Sequence, residues 1–284
     1  MDTVRGSLII FVAAFAGAGA AVLTALSWAG LIVPPSFWGG SAPYCNVLKV
    51  PIYGEMVTVR PMIQERGGAD SEETNGDANI LEGFTVSTEV EETLHAASED
   101  PGIKALLVDV DSGGGGPVAG VEVANAISRF GKPSVAVVHE VGASSAYLAA
   151  AAADVIFAAE ESAVGSIGVT GSYADQSKKN EKEGITFHQL SSAPFKDIYS
   201  PDKPLTDIER ARIMQDIKMS HDNFVRDVAM YRSLPVEKVA TLADGWALLG
   251  KAALDAGLID RIGGTEEATL YIEEKIGEPA VVCL

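Results

Sequence analysis

Residues 6–48 carry no charged side chain, and residues 7–33 are almost wholly apolar or small. No other feature constrains the chain as much. A helix over residues 7–33 would be about 40 Å long, enough to cross a ~30 Å hydrocarbon core with some tilt. Trp28, Phe37 and Trp38 lie near its end, where an aromatic belt forms at the lipid–water boundary. The apolar region of a cleaved signal peptide is shorter, ~7–15 residues. The uninterrupted run also argues against a buried helix of a soluble core. The stretch therefore reads as an uncleaved single-pass anchor. Arg5 and the amino terminus are the positive charges before it, and the next charge is Lys49. The positive-inside rule then puts the N-terminus in the cytoplasm and the remainder outside it.

Charge sharpens the division. The chain of 284 residues has a net charge of −18, yet 47% of it is hydrophobic. Asp2 and Arg5 cancel, so the acidic excess falls entirely from Lys49 onward. No basic patch is visible, which excludes nucleic acid as a partner. The hydrophobic content excludes global disorder. Two cysteines, Cys45 and Cys283, are too few for a disulfide-rich or zinc-ribbon domain. His95, His139, His188 and His221 form no HExxH and show no metal-ligand spacing. No cofactor is expected. The chain divides into an anchor with its juxtamembrane linker, residues 1–45, and a folded domain, residues 46–284.

Periodicity in that domain points to an α/β fold. Residues 47–52 and 56–60 read as short strands around a turn at Gly54. Residues 65–78, ERGGADSEETNGDA, have no periodicity and read as a mobile acidic loop. Thr85 or Ser87 is placed to cap a helix with Val90, Leu94 and Ala97 on its apolar face. Asp100-Pro101-Gly102 stops it. Residues 105–110, ALLVDV, form a continuous apolar run of the kind found in strands buried on both faces. A helix over 118–130, a strand over 134–138, a helix over 144–153 and a strand over 155–157 follow. This alternation predicts a parallel sheet with crossover helices. Residues 206–231 read as a long amphipathic helix and 252–256 as a short one ending at Gly257. There is no internal repeat.

Three glycine-rich junctions and one lysine carry the chemistry. Residues 112–116, SGGGG, follow a buried strand, where backbone N–H groups could cradle an anion or a developing oxyanion. The run lacks the GK[ST] of a phosphate-binding loop, and read alone it is equally a flexible connection. Residues 142–147, GASSAY, sit at the next strand–helix junction. A serine there is ordinarily a cap, and the GxSxG elbow is absent because Ala146 stands where its second glycine would be. His139 lies in a strand and reads as structural, so no Ser-His-Asp set can be assembled. Residues 165–169, GSIGV, form a small turn. Lys196 lies in APFKDI, and a lone lysine is ordinarily a solvated charge.

In combination these pieces resemble the signal peptide peptidase (protease IV) family of membrane-anchored serine peptidases. That family shows N-S-P-G-G-x-V, A-S-G-G-Y, A-A-D-x-I, G-S-I-G-V and K-D-x-x-S-P stretches, and ends in G-x-x-x-x-G-x-x-A-x-x-x-G-L-(V/I)-D-x-I-G-G. Here they read DSGGGGPV, ASSAY, AADVI, GSIGV, KDIYSP and GWALLGKAALDAGLIDRIGG, within residues 46–264. The resemblance implies a Clp-protease/crotonase-like fold and a Ser–Lys dyad. It assigns Ser144 as nucleophile, Lys196 as general base, Ser166 as the serine that orients the lysine, and Gly114 and Gly115 as oxyanion-hole donors. Asp111 and Gly113 replace the family's Asn and Pro, and Ser145 and Ala146 replace two glycines. Ser145 is thus a rival nucleophile.

A lysine base at neutral pH needs its pKa lowered by about three units. Burial of Lys196 among Pro194, Phe195 and Ile198, with Asp197 turned away, is expected to supply this. The resemblance also implies a homo-oligomer with the dyad completed between neighbouring subunits, and released signal peptides or other hydrophobic segments as substrates. The 206–231 helix and the C-terminal tail offer assembly surfaces. Two alternatives stand beside this reading. One is a crotonase-type acyl-CoA hydratase or isomerase, which would also use glycine amides. The other is an inactive membrane scaffold that binds peptides.

Overall fold

The computed structural model describes residues 45–61 and 83–284. The span expected over residues 7–33 and the acidic loop expected over 65–78 lie outside them. Among the described residues, no helix is long and apolar enough to cross a membrane.

The doubly apolar run at 105–110 forms β3 (Ala105–Gly115) in the interior of the sheet. On one side it pairs with β1 (Val47–Val57), which in turn pairs with β2 (Phe84–Val86). On the other side come β4 (Ser134–Ala143), β5 (Val155–Ala158) and β8 (Arg261–Ile262). All these pairings are parallel. β6 (Ala163–Gly165) continues beside the far end of β4, and β7 (Ala247–Leu249) pairs antiparallel to β6. β9 (Val282–Cys283) joins the start of β1.

Alternate residues of the central strands serve two covers, as strand periodicity requires. Val50, Ile52, Leu106, Val108, Val110 and Val138 pack with α1 (Ser87–Glu99), α2 (Pro117–Ser128) and α3 (Ser145–Ala151). Val47, Leu107, Val135, Val137 and Phe157 pack with Ala268 and Ile272 of α8 (Thr265–Ile276). α4 (Ser177–Lys182), α5 (Asp207–Tyr231), α6 (Val236–Leu242) and α7 (Gly250–Ala256) complete the described helices. α5 starts at a capping box, in which Thr206 Oγ1 accepts from Glu209 N while Glu209 Oε2 accepts from Thr206 N. α7 ends at left-handed Gly257.

The parallel sheet with crossover helices matches the periodicity, but three local expectations do not hold. β1 is one strand rather than two. Gly54, at φ +62°, absorbs a bulge between Tyr53 and Glu55 without ending the pairing. The glycine run is not a loop either. Gly114 and Gly115 continue β3 and pair with Glu55 and Met56. A Cβ on Gly115 would lie 2.3 Å from Met56 O, so only a bare backbone allows the strands to approach there. Neither Thr85 nor Ser87 caps α1. Thr85 Oγ1 donates to Tyr53 O at 2.8 Å, and Ser87 Oγ donates to the Glu122 carboxylate.

Cys45 and Cys283 form a disulfide with a Cα–Cα distance of 5.8 Å. Nothing in their spacing had paired them. The parallel register that sets Leu48 against Cys283 brings Cys45 beside Cys283. Asn46 reinforces the clasp, donating to Glu278 Oε1 at 2.6 Å and accepting from Val281 N at 2.8 Å.

Candidate active site

β4 and α3 join through Ser144, whose φ of 53° and ψ of −126° are strained for a residue with a side chain. Such strain costs about 1–3 kcal/mol and persists only where the surroundings impose it. Here they do. Ser144 N donates to Gly165 O at 2.8 Å, and Leu148 N donates to Ser144 O at 3.0 Å. From the other side Gly114, at φ +99°, presses on the turn. A Cβ there would lie 2.8 Å from Ser144 Cβ and 2.9 Å from both Ala143 O and Ser145 N. The result is a sharp strand-to-helix elbow that presents Ser144 without the GxSxG sequence.

The neighbouring serine is held differently. Ser145 is buried, and its Oγ donates to Gly115 O at 3.1 Å and Gly116 O at 3.2 Å. Gly120 of α2 packs against it so closely that a Cβ would sit 2.8 Å from Ser145 Cβ. Its hydroxyl thus ties the elbow to the glycine run.

Gly114 N donates to Ser112 Oγ at 3.0 Å, and Ser112 Oγ donates to Gly54 O at 2.5 Å. Gly116 N donates to Met56 O at 2.8 Å. The Gly114 amide therefore already has an acceptor. Asp111 Oδ1 accepts from Val141 N at 3.1 Å, which anchors that carboxylate to the backbone of β4.

Ser166 follows the carbonyl that pins Ser144 and has a φ of 49°. Its Oγ donates to Gly245 O at 2.9 Å rather than meeting a lysine. Lys196 lies in the irregular stretch between α4 and α5 and is exposed. Pro194 and Phe195 beside it are exposed as well, so the burial expected for Lys196 is not found within one chain. The physical reason is that this stretch contributes nothing to either core cluster. Asp197 Oδ2 accepts a hydrogen bond from Ser191 Oγ.

A cavity of about 440 Å³ opens beside Ser144. Val118, Val121, Leu148 and Phe224 supply apolar wall, and Glu122 and Asp227 supply charge. Ser220, Asn223, Phe224 and Asp227 reach it from α5 at i, i+3, i+4 and i+7 spacing, so one helical face serves one cavity. That face was legible as a periodicity, but its role was not, because nothing local says which surface α5 meets.

A second polar cluster stands on β1, β3 and β4. Tyr53 Oη donates to Asp109 Oδ2 at 2.5 Å, His139 Nε2 is 2.5 Å from Asp109 Oδ1, and Lys49 Nζ is 3.3 Å from Asp109 Oδ2. Burial pushes the Asp109 carboxyl up, but hydrogen bonds from Tyr53 and His139 outweigh it and hold the group below the ordinary range. Burial and the Asp109 hydrogen bond push the Tyr53 hydroxyl up to about 12. His139 lies in β4 with its ring tied to Asp109. Among the described residues, no group of three or more His, Cys, Asp or Glu is placed to hold a metal ion.

Comparison with known proteins gives a consistent picture. The family model described as peptidase family S49 matches residues 126–277. The chain is 34% identical over 194 residues to a protein of Enterococcus faecium named as a signal peptide peptidase SppA, covering 66% of this chain and 56% of that one. It is 28% identical over 219 residues to Protease 4 of Haemophilus influenzae, covering 75% of this chain and 33% of that one. The chain thus spans less than two thirds of the length of these relatives. Among solved structures, a ClpP1 mutant of Listeria monocytogenes overlays with a TM-score of 0.47 at 16% identity, covering 78% of this chain and 93% of that one.

Proposed function

The chain belongs to peptidase family S49, and from that premise we propose that it is a membrane-anchored serine endopeptidase acting on hydrophobic peptides such as released signal peptides. The observation that carries this reading is the strained elbow, which holds Ser144 beside a cavity of peptide side-chain size. An acyl-CoA hydratase or a passive scaffold would have no use for a strained serine at that point. In this reading residues 46–284 form a Clp-protease/crotonase-like peptidase domain, and residues 1–45 tether it.

The chemistry follows from the residues. Neutral Lys196 takes the proton of Ser144 Oγ as that oxygen attacks the peptide carbonyl carbon. Backbone amides at Gly114 and Gly115 stabilise the tetrahedral oxyanion, the Gly114 N–H exchanging Ser112 Oγ for it. The lysine then protonates the leaving amine, and water releases the acyl group by the same route. A neutral lysine requires about 4 kcal/mol of differential stabilisation, which an exposed side chain does not obtain. Its desolvation therefore comes from assembly, and each Lys196 serves the Ser144 of a neighbouring subunit while Ser166 orients it. Exposed apolar residues around it support this: Leu190 is 94% exposed and Tyr199 58%. The disulfide supports placing the domain in an oxidising compartment, outside the cytoplasm.

Mixing of inactive subunits tests the arrangement. Ser144→Ala and Lys196→Ala are each expected to abolish cleavage of a hydrophobic fluorogenic peptide. Randomly co-assembled, they are expected to restore roughly a quarter of the sites, because each complete site draws one residue from each neighbour. Wild-type cleavage by both single variants would refute the peptidase reading. Inactive mixtures that still co-assemble would refute the shared dyad.

A further inference from the structure

The cavity beside Ser144 is lined by both apolar and acidic side chains. Val118 and Phe224 line it, and Asn125 and Tyr231 close the distance between α2 and α5 further along, with Tyr231 Oη donating to Asn125 Oδ1 at 3.1 Å. Glu122 and Asp227 come about one turn before that bond on their respective helices, and about 6 Å beyond Val118 and Asn223 at 1.5 Å rise per residue. Glu122 and Asp227 both line the cavity, and among the described residues no Lys, Arg or His does.

Among the described residues, neither carboxylate is paired with a buried cation. Glu122 accepts from Ser87 Oγ, a neutral donor that leaves its charge in place. Asp227 accepts from Arg226 Nε at 3.1 Å and Nη2 at 2.9 Å, but Arg226 is the adjacent residue on the same helix and is exposed. Such a surface pair adds little and is easily exchanged. A purely hydrophobic occupant would desolvate the two carboxylates without compensation. An occupant with a long aliphatic stem and a cationic tip would satisfy both parts of the cavity, the stem lying along the valines and the tip reaching the acids. The net charge of −18 also draws cationic segments to the molecule.

We propose that this cavity selects a lysine or arginine side chain on the acyl side of the cut bond, with Glu122 and Asp227 as the specificity-determining residues. The proposal rests on the peptidase reading above and narrows it: the preferred segments are apolar sequences interrupted by a basic residue.

The test uses the full-length protein and fluorogenic peptides that differ only at the residue before the cut. That residue is lysine, norleucine (the same stem without the charge) or glutamate. The lysine peptide is expected to exceed the norleucine peptide in kcat/KM by about tenfold or more, the scale of a charged hydrogen bond, and the glutamate peptide to be the poorest. In the Glu122→Gln/Asp227→Asn double variant the lysine-to-norleucine ratio is expected to fall about tenfold. Each ratio is internal to one preparation, and the wild-type ratio decides the matter if the variant does not fold. Ser144-dependent cleavage with norleucine equal to or above lysine overturns this proposal alone, as does an unchanged ratio in a folded double variant. Absence of cleavage for every peptide overturns the peptidase reading and this proposal with it.

Discussion

Gly114→Ala is the sharpest perturbation the elbow allows. Gly114 has a φ of +99°, outside the range an L side chain adopts readily. The added methyl would lie 2.8 Å from Ser144 Cβ and 2.9 Å from Ala143 O and Ser145 N, two of the three being backbone atoms that cannot rotate away. The dihedral strain is about 1–3 kcal/mol, and overpacking adds about 1–3 kcal/mol more. Relief would come from moving the Ser144 turn, and displacement of a reacting group by about 1 Å costs about 100-fold in rate. Gly113→Ala is the matched control. A Cβ there meets nothing within 4 Å and its φ lies outside the left-handed region, so the loss of unfolded-chain entropy should stabilise the protein by about 0.4–1 kcal/mol. Urea denaturation and the rate of serine acylation by a fluorophosphonate probe, measured on both variants, give the comparison. Gly114→Ala acylating at the wild-type rate with an unchanged midpoint, or Gly113→Ala failing in the same way as Gly114→Ala, would show that the Gly114 contacts do not hold the elbow.

Three further outcomes follow from particular contacts. Ser145→Ala removes the hydroxyl that bridges Gly115 O and Gly116 O, and is expected to lower stability by about 1–2 kcal/mol while Ser144 still acylates; loss of labelling with unchanged stability would contradict the assignment. Reducing the Cys45–Cys283 bond opens a loop spanning 238 residues, so the urea midpoint should fall by the equivalent of up to about 5 kcal/mol in the chain-entropy account, and an unmoved midpoint would contradict it. The Glu209 carboxyl is held down to about 2, first by the Lys203 hydrogen bond and then by Thr206 N–H and hydroxyl, against 4.5 ordinarily. A depressed carboxyl gives stability that is present above its unfolded pKa and lost as pH falls through the folded one. Wild-type stability should therefore drop relative to Glu209→Gln between about pH 4.5 and 2, and parallel pH curves for the two proteins would count against it.

How far these features were legible depended on whether they were local. The parallel sheet was readable because residues 105–110 are apolar without alternation, which only a strand covered on both faces tolerates. Ser144 was readable as a position at a junction, but its strain was not, since φ is imposed by Gly165 and Gly114 from two other strands. The glycine run looked like a loop because glycine lowers strand propensity. It continues β3 because the backbone of β1 passes too close for any side chain, a fact that lies in β1. The disulfide joins residues 238 apart and depended on the β1–β9 register. The apolar neighbours of Lys196 suggested burial, but Pro194 and Phe195 are exposed with it. Glu122 and Asp227 carry no local sign of a site, and only the packing of α2 beside α5 gives them a shared cavity.

Covalent labelling with a fluorophosphonate probe, followed by mass spectrometry of the labelled peptide, tests Ser144 as the nucleophile and Lys196 as its base. A single adduct is expected on Ser144 in the assembled wild-type protein, none in Ser144→Ala, and a rate reduced by at least about 100-fold in Lys196→Ala, the lower range for loss of a general base. An adduct on Ser145, or labelling of Ser144 that proceeds at full rate without Lys196, would contradict those roles.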